Sequence, residues 1–93
     1  MKAMLMGLVL AESDDIVEEG GYRYFPHARV RTEWLKKAPK TERDRACPHG
    51  VQFYDVVVDG KRAERAAWMY EAPQMSMRHV ANRFGFWRDV EVG

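Results

Sequence analysis

The sequence predicts a mainly β fold: an antiparallel domain of roughly seven or eight short strands with two short helices inserted. Three observations carry that expectation. Gly20-Gly21 and Asp59-Gly60 each sit between β-compatible runs, as two-residue hairpin centres do. Val51–Val58 is apolar on both faces, which marks an interior strand. The helical patterns are short and bounded by prolines at 26, 39 and 73.

Taken in order, Met4–Glu12 reads as one apolar strand with Gly7 as an interruption or bulge, closed by a turn at Ser13-Asp14-Asp15. Ile16–Glu19 and Tyr22–Phe25 form a hairpin about Gly20-Gly21, with Tyr22 and Tyr24 on one face and Arg23 and Phe25 on the other. Ala28–Lys36 has helical spacing, Val30 with Trp34 and Arg31 with Leu35. Lys40–Ala46 is a charged connector without periodicity, and Cys47-Pro48-His49-Gly50 is a turn. Val51–Val58 returns through Asp59-Gly60 to a strand ending at Tyr70. Gln74–Arg83 is a short helix whose stripe of Met77, Val80 and Phe84 is core. Phe86-Trp87 and Val90–Val92, hinged at Arg88-Asp89, make a closing strand pair.

Ninety-three residues at 46% hydrophobic and 31% charged make one globular domain. A net charge of +1 supplies no bulk field for nucleic acid or anionic membrane, and Glu42 and Asp44 dilute the basic stretch from Lys36 to Arg45. No apolar run approaches the ~20 residues of a membrane span. Acidic residues follow the apolar start too closely for a secretory leader, so the expected location is cytoplasmic. One cysteine allows no internal disulfide, and Cys-x-His is not zinc-pair spacing. No metal and no cofactor are therefore expected. The expected partner is a small molecule, with the protein as monomer or homodimer.

Several segments together resemble the bacterial domain-of-unknown-function family 427, sometimes labelled nucleotidyltransferase-like. They are Val9–Asp15, Tyr24-Phe25-Pro26, and Val30-Arg31 with Glu33 and Leu35. Next come Cys47-Pro48, then Ala66-Ala67-Trp68 with Tyr70 and Pro73, and the closing run from Val80 through Phe86-Trp87 to Val92. The resemblance spans essentially the whole chain. It implies a β-tent-like fold, two curved antiparallel sheets without the paired zinc cysteines found elsewhere in that architecture. It implies no reaction, and the chain has neither a Gly-rich phosphate loop nor an obvious pair of metal-binding carboxylates. Family members usually continue Cys-Pro with an aromatic, a lysine and a glycine. Here His49-Gly50 follows directly, putting a group that titrates near neutrality where a permanent cation is usual.

The chemically capable side chains are expected to share one aromatic-lined cleft. Cys47 is a nucleophile, if nearby cations stabilise its thiolate, or else a small buried pocket wall. His49 is a general acid or base, or a solvent-facing turn residue. Glu33 is a surface charge, or a carboxylate tuned by burial to act as a base. Tyr24 and Tyr70 polarise or orient a substrate, and Trp68 is cleft wall or core. Asp55, a carboxylate within an apolar strand, marks either a sheet edge or the mouth of the cleft. Arg43 or Arg45 holds an acidic substituent. The leading expectation is a small-molecule enzyme using metal-free general acid–base chemistry (cyclisation, isomerisation, dehydration or hydrolysis). The alternative is a non-catalytic module that binds a small ligand or peptide in the same cleft.

Overall fold

A computed structural model describes all residues, Met1–Gly93. The fold class is as expected, mainly β in two antiparallel sheets. Nine strands are present: β1 Lys2–Leu5, β2 Leu8–Glu12, β3 Val17–Glu19, β4 Tyr22–Pro26, β5 Leu35–Lys37, β6 Val51–Val58, β7 Lys61–Tyr70, β8 Arg83–Phe86 and β9 Glu91–Val92. The small sheet has the order β2-β1-β9 and the large one β3-β4-β8-β7-β6-β5. The main core lies between them, where Leu5, Leu10 and Val90 meet Phe25, Val56, Phe84 and Phe86. The opposite face of the large sheet carries a second cluster built on Tyr24, Val51, Trp68 and Val80.

Five local expectations are corrected. The first apolar run is a hairpin, because Met6 (φ 49°) and Gly7 (φ 83°) both adopt the left-handed conformation that a tight two-residue turn requires. Ala28–Lys36 is not a helix but two 3-10 turns, His27–Arg29 and Thr32–Trp34, followed by β5. Val30 between them is extended, pairs with Ala11 and is buried in the main core, so sheet contact overrides its helical spacing. The charged connector contains the one α-helix, α1 Glu42–Ala46. It starts at a reciprocal cap in which the Thr41 hydroxyl accepts from Asp44 N–H and the Asp44 carboxylate accepts from Thr41 N–H. The closing segments do not pair with each other: β8 joins the large sheet and β9 pairs with β1. The second expected helix is a 3-10 stretch, Met75–Val80; Val80 is fully buried, whereas Phe84 lies in β8 and faces the other core.

Two features of β7 position everything on the outer face. The first is a bulge. Tyr54 pairs with Ala67 and Val56 with Ala63, so two steps along β6 oppose four along β7. Arg65 sits in this bulge with φ 53°, and its backbone groups leave the ladder. They find other partners: Arg65 N–H donates to Asp55 Oδ1 at 3.0 Å, and Arg65 C=O accepts from Trp87 Nε1 at 2.6 Å. The second is a close approach. Trp68 lies directly opposite Gly85 on β8, and a Cβ at Gly85 would fall 2.5 Å from the indole Cζ2. Only glycine leaves room for the ring to lie flat on the sheet. Gly85→Ala is therefore expected to destabilise the protein by about 1–3 kcal/mol through overpacking. It should also change the near-UV dichroism, measured alongside urea unfolding; an unchanged spectrum and midpoint would show that Trp68 does not rest there.

Candidate functional site

The outer face of the large sheet carries an aromatic hollow of about 210 Å³, walled by Tyr22, Val51, Phe53, Trp68, Tyr70 and Trp87. Strand alternation places these residues together: Tyr22 from β4, with Tyr24 behind it on the same strand face, Val51 and Phe53 from β6, and Trp68 and Tyr70 from β7. Trp87 follows β8 and is held by its bond to the bulge carbonyl. The rings interlock edge to face. Tyr22 and Trp68 have centroids 5.0 Å apart at 84°, and Trp68 and Trp87 are 5.5 Å apart at 69°. Phe53 and Trp87 stack at 5.9 Å and 25°.

Tyr24 is buried behind this wall and does not line the hollow, which corrects its expected place against a substrate. Its ring meets Trp68 at 5.8 Å and Tyr70 at 6.4 Å. Burial raises the Tyr24 hydroxyl well above its ordinary pKa; the neighbouring indole opposes the shift and Tyr70 adds to it. Tyr24 is thus a neutral phenol at any physiological pH. The indole lies near that hydroxyl without closing a hydrogen bond of ordinary geometry, and Trp68 Nε1 is the one buried side-chain nitrogen or oxygen without a partner. Such a group costs about 1–3 kcal/mol.

The Cys47-Pro48-His49-Gly50 turn borders the same face. Cys47 is half-buried against the second cluster. The His49 ring stands edge-on to Tyr70, with centroids 5.8 Å apart, and its Nδ1 accepts from Gln74 N–H at 2.8 Å. A backbone N–H can only donate, so the neutral ring carries its proton on Nε2. The thiol, the imidazole, the phenols and the indole are neighbours on this face, but they do not line one shared cleft: of the expected residues only Trp68 and Tyr70 wall the hollow, and Cys47, His49 and Tyr24 do not.

Other expected residues lie elsewhere. Glu33 is exposed, 3.9 Å from Arg31, and lines a separate groove between β2 and the 3-10 turns. It lacks both the burial that would tune a base and any contact with the aromatic hollow. Asp55 is neither at a sheet edge nor at a cleft mouth. Its buried carboxylate is matched by Arg62 Nη2 at 2.7 Å and by the bulge N–H of Arg65. Arg45 is solvent-exposed and does not line the aromatic hollow, whereas Arg43 lines a second concavity next to it. His27 packs on Phe84 and His79 pairs with Glu19 at 2.6 Å, so the histidines are dispersed over the molecule.

The residues that sequence reading missed are Tyr22, Phe53, Trp87, Arg65 and Arg88. For Tyr22 the signal was present, since it shares a strand face with Tyr24. Arg65 Nη2 donates to both carboxylate oxygens of Asp44 at 2.8 and 3.0 Å, while its guanidinium carbon lies 4.1 Å from the centre of the Phe53 ring. These Arg65 hydrogen bonds hold the Asp44 carboxyl below its ordinary range; burial opposes them and the Thr41 cap assists.

The fold and this face define a small two-sheet β domain with one aromatic concavity on its outer surface. Residues 1–92 match the family model described as Domain of unknown function (DUF427), and the chain belongs to that family. No curated protein matches the chain.

The Asp44 shift has a consequence for acid stability. A depressed carboxyl stabilises the fold fully above its unfolded pKa, and that contribution is lost as pH falls below about 4 toward the folded value. Asp44→Asn should be less stable at pH 7 and lose less on going to pH 3, measured by urea midpoints at both values. Equal pH dependence in the two proteins would exclude the ion pair as a source of acid sensitivity.

Proposed function

We propose that the protein binds a small planar molecule in the aromatic hollow, as a binding module acting on a small ligand. The observation that carries this reading is the wall of the hollow: every lining side chain is apolar or aromatic, and both indole N–H groups are turned away from it, Trp68 Nε1 buried and Trp87 Nε1 bonded to the Arg65 carbonyl. Ring faces and edges of this kind give stacking area with few directed hydrogen bonds. At about 210 Å³ the hollow suits one or two fused rings; it is smaller than the common range of ligand sites. We set the protein in the cytoplasm, for which its single free thiol is the support. Nucleic acid and membrane are not its partners in this reading, and it acts as a monomer or homodimer.

A second reading, acid–base catalysis without cofactor or metal, draws on the closeness of His49 to Tyr70, whose ring centroids are 5.8 Å apart. The His49 Nδ1 is occupied by the Gln74 N–H, which leaves Nε2–H as a donor. Neutral donors polarise a carbonyl; a proton-abstracting base would need the Nε2 lone pair, which the tautomer set by Gln74 removes. Binding is thus the better supported of the two.

The test uses 2-naphthamide, a neutral two-ring probe, titrated into the folded protein while the three indole N–H signals are followed by NMR. Trp68 and Trp87 should shift and Trp34, which packs against the main core, should not. Tyr70→Ala should weaken the probe by about tenfold, the equivalent of roughly 1.4 kcal/mol. Uniform shifts, or none, would remove the binding reading. Catalysis would instead require turnover that disappears in His49→Ala while probe affinity stays.

A further inference from the structure

Beside the aromatic hollow lies a second concavity of about 430 Å³ that shares Val51, Phe53 and Trp87 with it. Thr41, Arg43 and Asp44 line it from the α1 segment, Arg65 from the bulge and Arg88 from the turn after β8. The charges do not cancel. Arg65 is matched by Asp44 through both carboxylate oxygens, and Oδ2 of Asp44 also accepts from Thr41 N–H. Arg43 and Arg88 remain. Neither has a carboxylate within ion-pair distance, and Arg88 donates only to the Glu64 carbonyl oxygen, at 3.3 Å. Two unmatched guanidinium groups therefore border a cavity whose inner wall is aromatic.

The same geometry disfavours a cationic ligand. Arg65 already lies over Phe53 at 4.1 Å and Arg88 over Trp87 at 4.7 Å, so the ring faces that a ligand cation would seek are next to fixed positive charge. An anion meets the opposite situation. Guanidinium forks match carboxylate and phosphate oxygens in pairs, and partial enclosure by apolar walls strengthens such contacts relative to open water.

We infer that the two concavities are one site, and that its ligand is an aromatic oxyanion. The ring occupies the hollow between Tyr70 and Trp87, and a carboxylate or phosphate lies between Arg43 and Arg88. This rests on the binding reading above and adds the ligand's charge class to it. Arg65 has a positioning part, holding Phe53 and the α1 segment, and does not itself meet the anion.

The experiment compares three probes of one ring system: 2-naphthamide, 2-naphthoate and 2-naphthyl phosphate. Binding is followed through the Trp68 and Trp87 indole signals, in the parent protein and in the double variant Arg43→Gln, Arg88→Gln. Both anions should bind about tenfold more tightly than the amide, and added salt should weaken only the anions. In the double variant the anions should fall to the affinity of the amide while the amide is unchanged. Either order of carboxylate and phosphate supports the assignment, and the tighter one names the oxyanion. Equal affinities for all three probes, or an anion preference that survives the double variant, would overturn the charge class and leave the binding reading intact. If no probe binds, both fall. A double variant that keeps its indole spectrum but loses the amide as well would also overturn the inference, because the arginines would then be acting on the fold.

Discussion

The outer face of the large sheet is organised by the bulge at Arg65. An interruption in the ladder frees a backbone N–H and a C=O that must find partners, and each partner found here is a side chain that builds the site. Asp55 takes the N–H and so becomes a tolerable charge inside an apolar strand. The indole of Trp87 takes the C=O, which fixes one wall of the hollow. The Arg65 side chain then reaches Asp44, docks the only α-helix against the sheet and covers Phe53. One irregularity in one strand thus sets the place of a helix, an ion pair and two aromatic rings.

The second constraint is steric. Trp68 needs a flat floor, and register supplies one by placing Gly85 opposite it. With the indole laid down, Tyr22, Tyr24, Phe53 and Trp87 all pack against it within 6.2 Å between centroids. The cluster is apolar in bulk, yet its interior holds a phenol kept neutral by burial and an indole N–H without a partner. Neither group moves a proton at neutral pH. What this cluster offers at its surface is ring area for stacking, which is the basis of the binding proposal.

Much of the fold was legible because local and tertiary preferences agreed. Gly20-Gly21 and Asp59-Gly60 have the turn chemistry that hairpins need, and both hairpins formed there. Val51–Val58 is apolar on both faces and is an interior strand. The first hairpin was hidden because Met6 is not a turn former, and its left-handed backbone is imposed by the pairing of β1 with β2. The helical spacing of Val30 and Trp34 was misleading because Val30 is drawn into a bridge with Ala11. The cap at Thr41 and Asp44 was readable in principle, but in so short a segment it was masked by charge. Within the site, alternation along β7 placed Trp68 and Tyr70 on one face, and the cysteine turn did approach them. The bulge carries no glycine or other sequence mark, so Arg65, Trp87 and the true partner of Asp55 needed the strand pairing to be seen. Glu33 was misplaced for the same reason as the helix that was expected to carry it.

What unites these observations is a face that the small sheet leaves uncovered, faced with aromatic rings and bordered by unmatched arginines. A crystal structure of the protein grown with 2-naphthoate tests this most directly. The ring system should lie between Tyr70 and Trp87, with the carboxylate directed at Arg43 and Arg88. A hollow left empty at saturating probe, or a probe seated instead in the groove beside Glu33, would contradict it.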